Sequence, residues 1–493
     1  MKYLRNYTIT VIALIAIISC SDDDSFTTLP NHLLTFSTDT IRMDTVFSRV
    51  PSSRKSFWVY NKSGDGLRCA KIRLANGSRS GFRVNVDGTY LSMESGYQTG
   101  NVEIRNKDSI FVNVELTSSQ NGKSTPQFLE DNLVFTLESG IEQKVNLNAY
   151  SWDAEIIRNL VIKRDTTISS DRPIVIYGNM KIDSMATATI VPGTTLYFHA
   201  KSGLDVYGRL IAEGTADKNI IFRGDRTDRM FEYLPYDMVS GQWNGIHFHS
   251  SSYENVMNYT DTHSTFNGIV CDSSDVSKLK LKLYNSIVHN CQGYGLRSVN
   301  SVVDVRNCQL TNALKDCVAI YGGGAFLLNC TIAQFYPFDS NYGAALRFTN
   351  GDDDGSTKHI YPLYQMDCIN SIVTGYAKDV IMGEIQDSTV AYTYKFVNSI
   401  LRTDTVKDDT KIQDVIWENA DTVRIDTVSG GEKNFKLIDG NKQYYDFHLS
   451  QKSRAIGAAS KDPEFLMPMD RDGKRRDEEP DMGCYEYVEA PKE

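Results

Sequence analysis

One stretch of the chain crowds forked charges and flat rings together: in "GDRTDRMFEYLPYDMVSGQW", Asp225, Arg226, Asp228, Arg229, Tyr233, Tyr236, Asp237 and Trp243 fall within a single run. Guanidinium and carboxylate forks hydrogen-bond sugar hydroxyls or carboxylates, and aromatic faces cover the apolar faces of pyranose rings. The run is the leading candidate for glycan binding; the competing reading is an ordered loop whose charges pair with one another. "FYPFDSNYG", Phe335 to Gly343, has the same character in weaker form. His247 and His249 alternate with Ile246 and Phe248, so both imidazoles lie on one strand face and could reach one metal. No carboxylate stands at matching spacing, and a surface pair is the expectation. The three carboxylates of "GDDDG", Gly351 to Gly355, could gather calcium, with a solvated loop tip as the favoured reading. In "DRDGKRRDEEPDMGCYEY", Lys474, Arg475 and Asp481 stand where a calcium loop of the EF-hand kind needs other residues. No metal site, no cofactor beyond that weak calcium reading, and no catalytic residue is assigned.

The elements that must hold these residues are strands. From residue 33 to 154, short alternating runs such as "FRVNVDG" and "IFVNVELTSSQNG" are broken by turn clusters at intervals near ten residues, the pattern of a β-sandwich. Beyond Trp152 a template of apolar, any, Asn, Ser or Cys, any, apolar recurs as "LYNSIV", "VRNCQL", "LLNCTI", "CINSIV" and "FVNSIL". Its asparagines are Asn285, Asn307, Asn329, Asn370 and Asn398, the first three of them 22 apart. A second series, "NGIHF", "NGIVC" and "YGLRS", places Gly245, Gly268 and Gly295 at a compatible period. Two such series predict a parallel β-helix of three sheets, about 22 residues per coil, over residues 155–430, with a C-terminal end and cap over 431–493. Asparagine tolerates a left-handed turn, and its amide can bond an identical amide one rung away, about 4.8 Å, so the five are read as a structural ladder. Cys308 and Cys330 sit at matching rung positions, where buried thiols stack better than they pair. The expected fold class is all-β: an N-terminal Ig-like sandwich, then the solenoid and its cap.

The N-terminus adds an address. Lys2 and Arg5 precede an apolar run, Thr8 to Ser19, too short to span a bilayer and right for a signal-peptide core over residues 1–19. It closes on "IISC", which resembles the lipobox of bacterial lipoproteins, and this implies lipidation of Cys20. Asp22, Asp23 and Asp24 follow within an acidic linker, residues 20–32, that resembles the surface-export signal of Bacteroidales-type lipoproteins; a solvated spacer is the alternative. "LTFSTDTIRMDTVF" resembles the Ig-like modules near the membrane anchor of bacterial surface proteins, which implies a spacer. "GRLIAEGTADKNIIFRGDR" with "GQWNGIHF" is similar to right-handed parallel β-helix proteins of Bacteroidales, and "YDFHLSQKSRAIGAAS" with the Asp470–Tyr487 stretch resembles the terminal segment of secreted β-helix proteins. Arg454 and Gly457 depart from that segment's usual proline and aspartate. The family has no settled activity; the resemblance implies a fold and an outer-membrane, outward-facing location with the membrane as partner through Cys20.

Function follows as an expectation: a surface lipoprotein whose β-helix binds a glycan or another surface component. A polysaccharide lyase or hydrolase using the same groove is the alternative from another class, and a purely structural protein is a third. The boxes that resemble polygalacturonase-like sites (NTD, DD, HG, RIK) and pectate-lyase-like sites (WxDH, RxPxxR) are not present as sets. The formal net charge of −10 argues against nucleic acid as a partner. Oligomeric state is not fixed by the sequence.

Overall fold

The computed structural model describes residues 25–353, 357–407, 410–418, 431–465 and 467–489. The expected signal peptide, Cys20, the Asp22–Asp24 triplet, and Asp354 and Gly355 of the "GDDDG" loop lie outside the described residues. The chain divides into two compact units, the first ending at Asp153 and the second starting at Ala154.

In the first unit, alternation does what a half-buried sheet requires: along Ser109–Leu116 every second side chain is buried. A five-stranded and a six-stranded sheet result. Their inner faces share a core that includes Phe57, Val59, Ile72, Val84, Val112, Phe135 and Leu147. Most pairings are antiparallel, but Thr40–Phe47 joins Glu142–Trp152 in parallel.

The second unit is a solenoid whose coils build three parallel ladders, the long strands Leu296–Arg306 and Val318–Leu328 each serving both the first and the second. Leu204–Val206, Ile246–Phe248 and Ile269–Cys271 pair in parallel as rungs of a first ladder, which continues through Leu296, Val318, Leu346 and Ile381. Asn255–Asn258 and Leu279–Tyr284 belong to the second ladder, and Thr260–His263, Ile287–Cys291 and Gln309–Ala313 to the third. Inward residues such as Val206, Phe248, Leu283 and Leu310 stack into one continuous core.

The asparagines occupy the turn between the second and third ladders. Asn285, Asn307, Asn329, Asn370 and Asn398 have φ between 43° and 59°, the left-handed region that asparagine enters at low cost. The Asn307 amide donates to Asn285 Oδ1 at 2.7 Å, and the Asn285 amide to Asn258 Oδ1 at 2.9 Å. Farther along, the C-terminal segment intervenes: the Asn370 amide donates to the Phe465 carbonyl at 2.9 Å and the Asn329 amide faces the Asp481 carbonyl. The eight cysteines of the described residues are free and buried, and burial pushes the thiols of Cys368 and Cys484 up to about 12.

The C-terminal segment caps the solenoid from the side. Phe435–Asp439 and Tyr444–Leu449 form an antiparallel hairpin. Phe447, Leu449, Met482 and Tyr485 then pack on Ala333, Phe335, Ile372 and Ile400, outward residues of the third ladder. Asp470 Oδ1 accepts the amides of Asp472 and Lys474 at 2.9 and 2.8 Å, so this aspartate holds a turn; Asp472 instead accepts from His448 Nε2 at 2.8 Å. The tail thereby covers the third ladder and leaves the outer face of the first ladder to other uses.

Candidate functional site

On the first ladder each coil presents two outward columns. Asp205, His247, Val270, Arg297, Ala319 and Arg347 form one. Tyr207, His249, Asp272, Val299, Tyr321 and Thr349 follow two residues later in each strand. Entry to these strands is tight. Gly245 has φ 96°, and a Cβ there would collide with the Asn267 carbonyl of the next coil, so only glycine fits.

A cleft of about 420 Å³ lies over the later rungs, lined by Tyr294, Lys315, Asp316, Tyr321, Tyr342 and Arg347. Arg347 Nε donates to Asp316 Oδ2 at 2.8 Å, and the buried Asp316 also takes the Ala344 amide at 2.8 Å. Burial alone would lower the Arg347 pKa; Asp316 outweighs it and keeps the guanidinium charged. Arg297 donates to Asp352 at 2.6 Å while its guanidinium stands 5.1 Å from the Tyr321 ring centre. The Tyr294 and Tyr321 hydroxyls meet at 3.3 Å, and burial first, then that contact, raises the Tyr321 pKa. Asp352, from the "GDDDG" stretch, is thus committed to an arginine, within the hairpin of Gly351–Asp353 and Lys358–Ile360.

The Asp225–Trp243 run fares differently from its expectation. Asp225 accepts from His199 Nδ1 at 2.7 Å, Arg226 grips Asp228 at 2.7 and 2.6 Å, and Arg223 holds Asp237 at 2.8 Å. The Arg226 guanidinium sits 3.7 Å over the Tyr236 ring, and Arg229 donates to the Glu232 carbonyl at 3.1 Å. Burial raises the Asp225 pKa against the pull of His199. Trp243 corrects the sequence reading: it is 1 % exposed and stacks on Phe198 at 4.3 Å, because it opens the next coil and its indole is core. Tyr233 and Phe231 are the exposed rings of the run, 5.8 Å apart. Ser240 hydrogen-bonds the Tyr336 hydroxyl at 2.8 Å, which joins this run to the second insertion, and that insertion supplies Tyr342 to the cleft.

The histidines also correct an expectation, since carboxylates do reach them. His249 Nε2 lies 3.1 Å from Asp205 Oδ1 and His247 Nε2 2.8 Å from Asp272 Oδ1, the carboxylates arriving from the coils before and after. Burial would raise the Asp272 pKa, but His247 and then His249 bring it below the usual carboxylate range. A second cluster, Asp261 with His263 and His289, sits on the third ladder. There burial lowers the His263 pKa, and the two imidazoles overcome burial to hold Asp261 well below its usual value.

Sequence reasoning missed Asp205, Asp272, Tyr294, Arg297, Lys315, Tyr321 and Arg347. A signal was available: "GLDV", "GIHF", "GIVC" and "GLRS" share one glycine frame, and the second residue after each glycine gives the column Asp205, His247, Val270, Arg297.

Residues 164–335 match the family described as right handed beta helix region. No curated protein matches. Among solved structures, Dex49A from Penicillium minioluteum aligns with 76 % of this chain and 72 % of its own, at 8 % identity and a TM-score of 0.18. The family match and the three unbroken ladders together make this part of the chain a right-handed parallel β-helix.

Proposed function

We propose that the chain is an outer-membrane lipoprotein, anchored through Cys20 and facing outward, whose β-helix binds a glycan along the first ladder. The observation that carries the reading is the cleft, in which Tyr294, Tyr321 and Tyr342 stand with the ion-paired Arg347, while Arg297, held by Asp352, lies over the Tyr294 and Tyr321 rings. Its volume, about 420 Å³, suits a few sugar rings. Guanidinium groups fixed by carboxylates present their remaining N–H donors in a set direction, and Tyr342 and the partly exposed Tyr294 offer aromatic surface, with Tyr321 buried behind them. The Asp225–Trp243 run reaches the second insertion through Ser240 and the Tyr336 hydroxyl, and that insertion supplies Tyr342 to the cleft.

Binding is tested on an array of neutral and uronate-containing polysaccharides. The pair Lys315→Gln and Tyr342→Ala, both in the cleft lining, is expected to weaken retention at least about tenfold, the cost of one charged and one stacking contact, with the melting temperature within a few degrees of wild type. Retention equal to wild type overturns the cleft as the site. Release of unsaturated sugar ends during incubation would replace the binding reading with a lyase. Anchoring is tested separately: Cys20→Ala should move the protein from membrane to soluble fractions, because the acyl chains are what hold a folded body at the bilayer. Full retention in the membrane fraction would remove the lipoprotein assignment.

A further inference from the structure

We propose that Asp205, His247 and His249 form a binding site for a first-row divalent cation of the zinc type, seated on the outer face of the first ladder. One ligand atom from each of the three residues lies within 4.8 Å of the other two. A tetrahedral zinc with bonds of about 2.0–2.1 Å holds its ligand atoms about 3.3 Å apart. The separation of His249 Nε2 from Asp205 Oδ1 is 3.1 Å, so small side-chain adjustments suffice to receive the ion.

The scaffold fixes these donors. His247 and His249 alternate on one strand, and their rings lie 4.0 Å apart. Asp205 belongs to the preceding rung, in register with His247. The His249 ring is clamped flat against Tyr207 at 3.9 Å, which limits its rotation. Asp272, from the following coil, lies 3.5 Å from His249 Nδ1. When Nε2 of His249 binds a cation, Nδ1 carries the proton, and Asp272 stands where an outer carboxylate orients a metal-bound imidazole. His247 would exchange its 2.8 Å contact with Asp272 for the cation.

Two imidazoles among three donors disfavour calcium and magnesium, which take oxygen ligands, and suit zinc and its neighbours. Charge agrees: two carboxylates flank the site, and the two nearby ammoniums are occupied, Lys280 with the His249 carbonyl at 2.8 Å and Lys181 with Asp183 at 2.9 Å. The Asp261 cluster is the poorer site. It has one carboxylate, it is more deeply buried, and the Arg223 guanidinium nearby repels a cation. A three-ligand site keeps a coordination position for water or for a ligand group. On the first ladder that position lies in the same column as Arg297, two rungs or roughly 10 Å before the cleft.

Titration of the whole chain with zinc chloride, read by calorimetry, is expected to show one equivalent bound at micromolar affinity or tighter, undiminished by excess calcium. Cobalt(II) in its place should give the visible absorption of a four-coordinate ion. His247→Ala and Asp205→Asn should each weaken zinc binding at least about tenfold, whereas His263→Asn should leave it unchanged. Circular dichroism without metal identifies any variant that fails to fold, and His249→Gln then serves as the replacement. Absence of saturable zinc binding overturns the site, as does wild-type affinity in both first variants or dependence on His263. Because the readout is the cation itself, the result is independent of whether any glycan binds.

Discussion

Trp243→Ala is expected to lower unfolding stability by about 3–5 kcal/mol, the range for deleting a large buried aromatic. The indole is 1 % exposed, lies nearly parallel to Phe198, and donates its N–H to the His263 carbonyl at 2.8 Å. Its backbone bridges Thr265 of the next coil, so the ring fills the joint between an inserted run and the regular solenoid. Alanine would leave a cavity spanning two coils and an unpaired carbonyl. Trp243→Phe keeps most of the packing and should cost about 1 kcal/mol from the missing hydrogen bond. Tyr233→Ala, ten residues earlier on the exposed part of the run, should stay within about 0.5 kcal/mol. Denaturant midpoints decide the matter, and a Trp243→Ala protein that melts with wild type would mean the ring is not core.

Arg476→Met should cost about 3–5 kcal/mol, because it removes one partner from a buried charged network. The guanidinium donates to Glu486 at 2.8 Å, to Asn307 Oδ1 at 2.9 Å and to the Gly483 carbonyl at 2.8 Å, and it is 5 % exposed. Methionine fills the volume and leaves Glu486, Asn307 and the Gly483 and Asp481 carbonyls without this donor, the last of them 3.1 Å from the guanidinium. The pH dependence has a definite sign. Burial raises the Glu486 pKa, Asp481 adds to it, and Arg476 opposes both. A carboxyl whose folded pKa is raised stabilises the fold at low pH and loses that contribution as pH rises through the folded value. Without Arg476 the value climbs further, so the penalty should be largest at neutral pH and shrink on acidification. Protease cleavage within residues 460–487 and denaturant midpoints across that pH range measure it. A penalty that grows on acidification would rule out the stranded carboxylate as its cause.

Much of the scaffold was legible because one coil reports on the next. The asparagines at 285, 307 and 329 recur at one spacing, and each marks a left-handed turn that few other residues enter cheaply. The alternation in "SIFVNVEL" likewise needs no partner strand to be read. The site was less legible because its residues meet across coils of unequal length. Asp205 stands in register with His247, yet the Asp225–Trp243 run lies between them and hides the match. Asp272 comes from a coil with no such insertion, so the two carboxylates reach the same imidazoles from different sequence distances. Trp243 was misread for a related reason: composition groups it with the charged run, while the bridge to Thr265 makes it the first residue of regular structure. Tyr294 and Arg347 gave no local signal, since a cleft made from separate coils has no contiguous motif.

The lateral position of the C-terminal segment changes what kind of object the solenoid is. Coils that touch only their neighbours can fray one at a time, as in a linear array. Here Arg471 bonds Asn219 across 252 residues and Arg476 bonds Asn307 across 169, so early and middle coils share contacts that exist only when the tail is docked. Losing the tail weakens several rungs at once, which couples their melting into one cooperative transition. The same contacts close very long loops, whose entropy must be met before the contacts form. Local rungs can therefore assemble early, while completion of the native state waits for the most distant part of the chain.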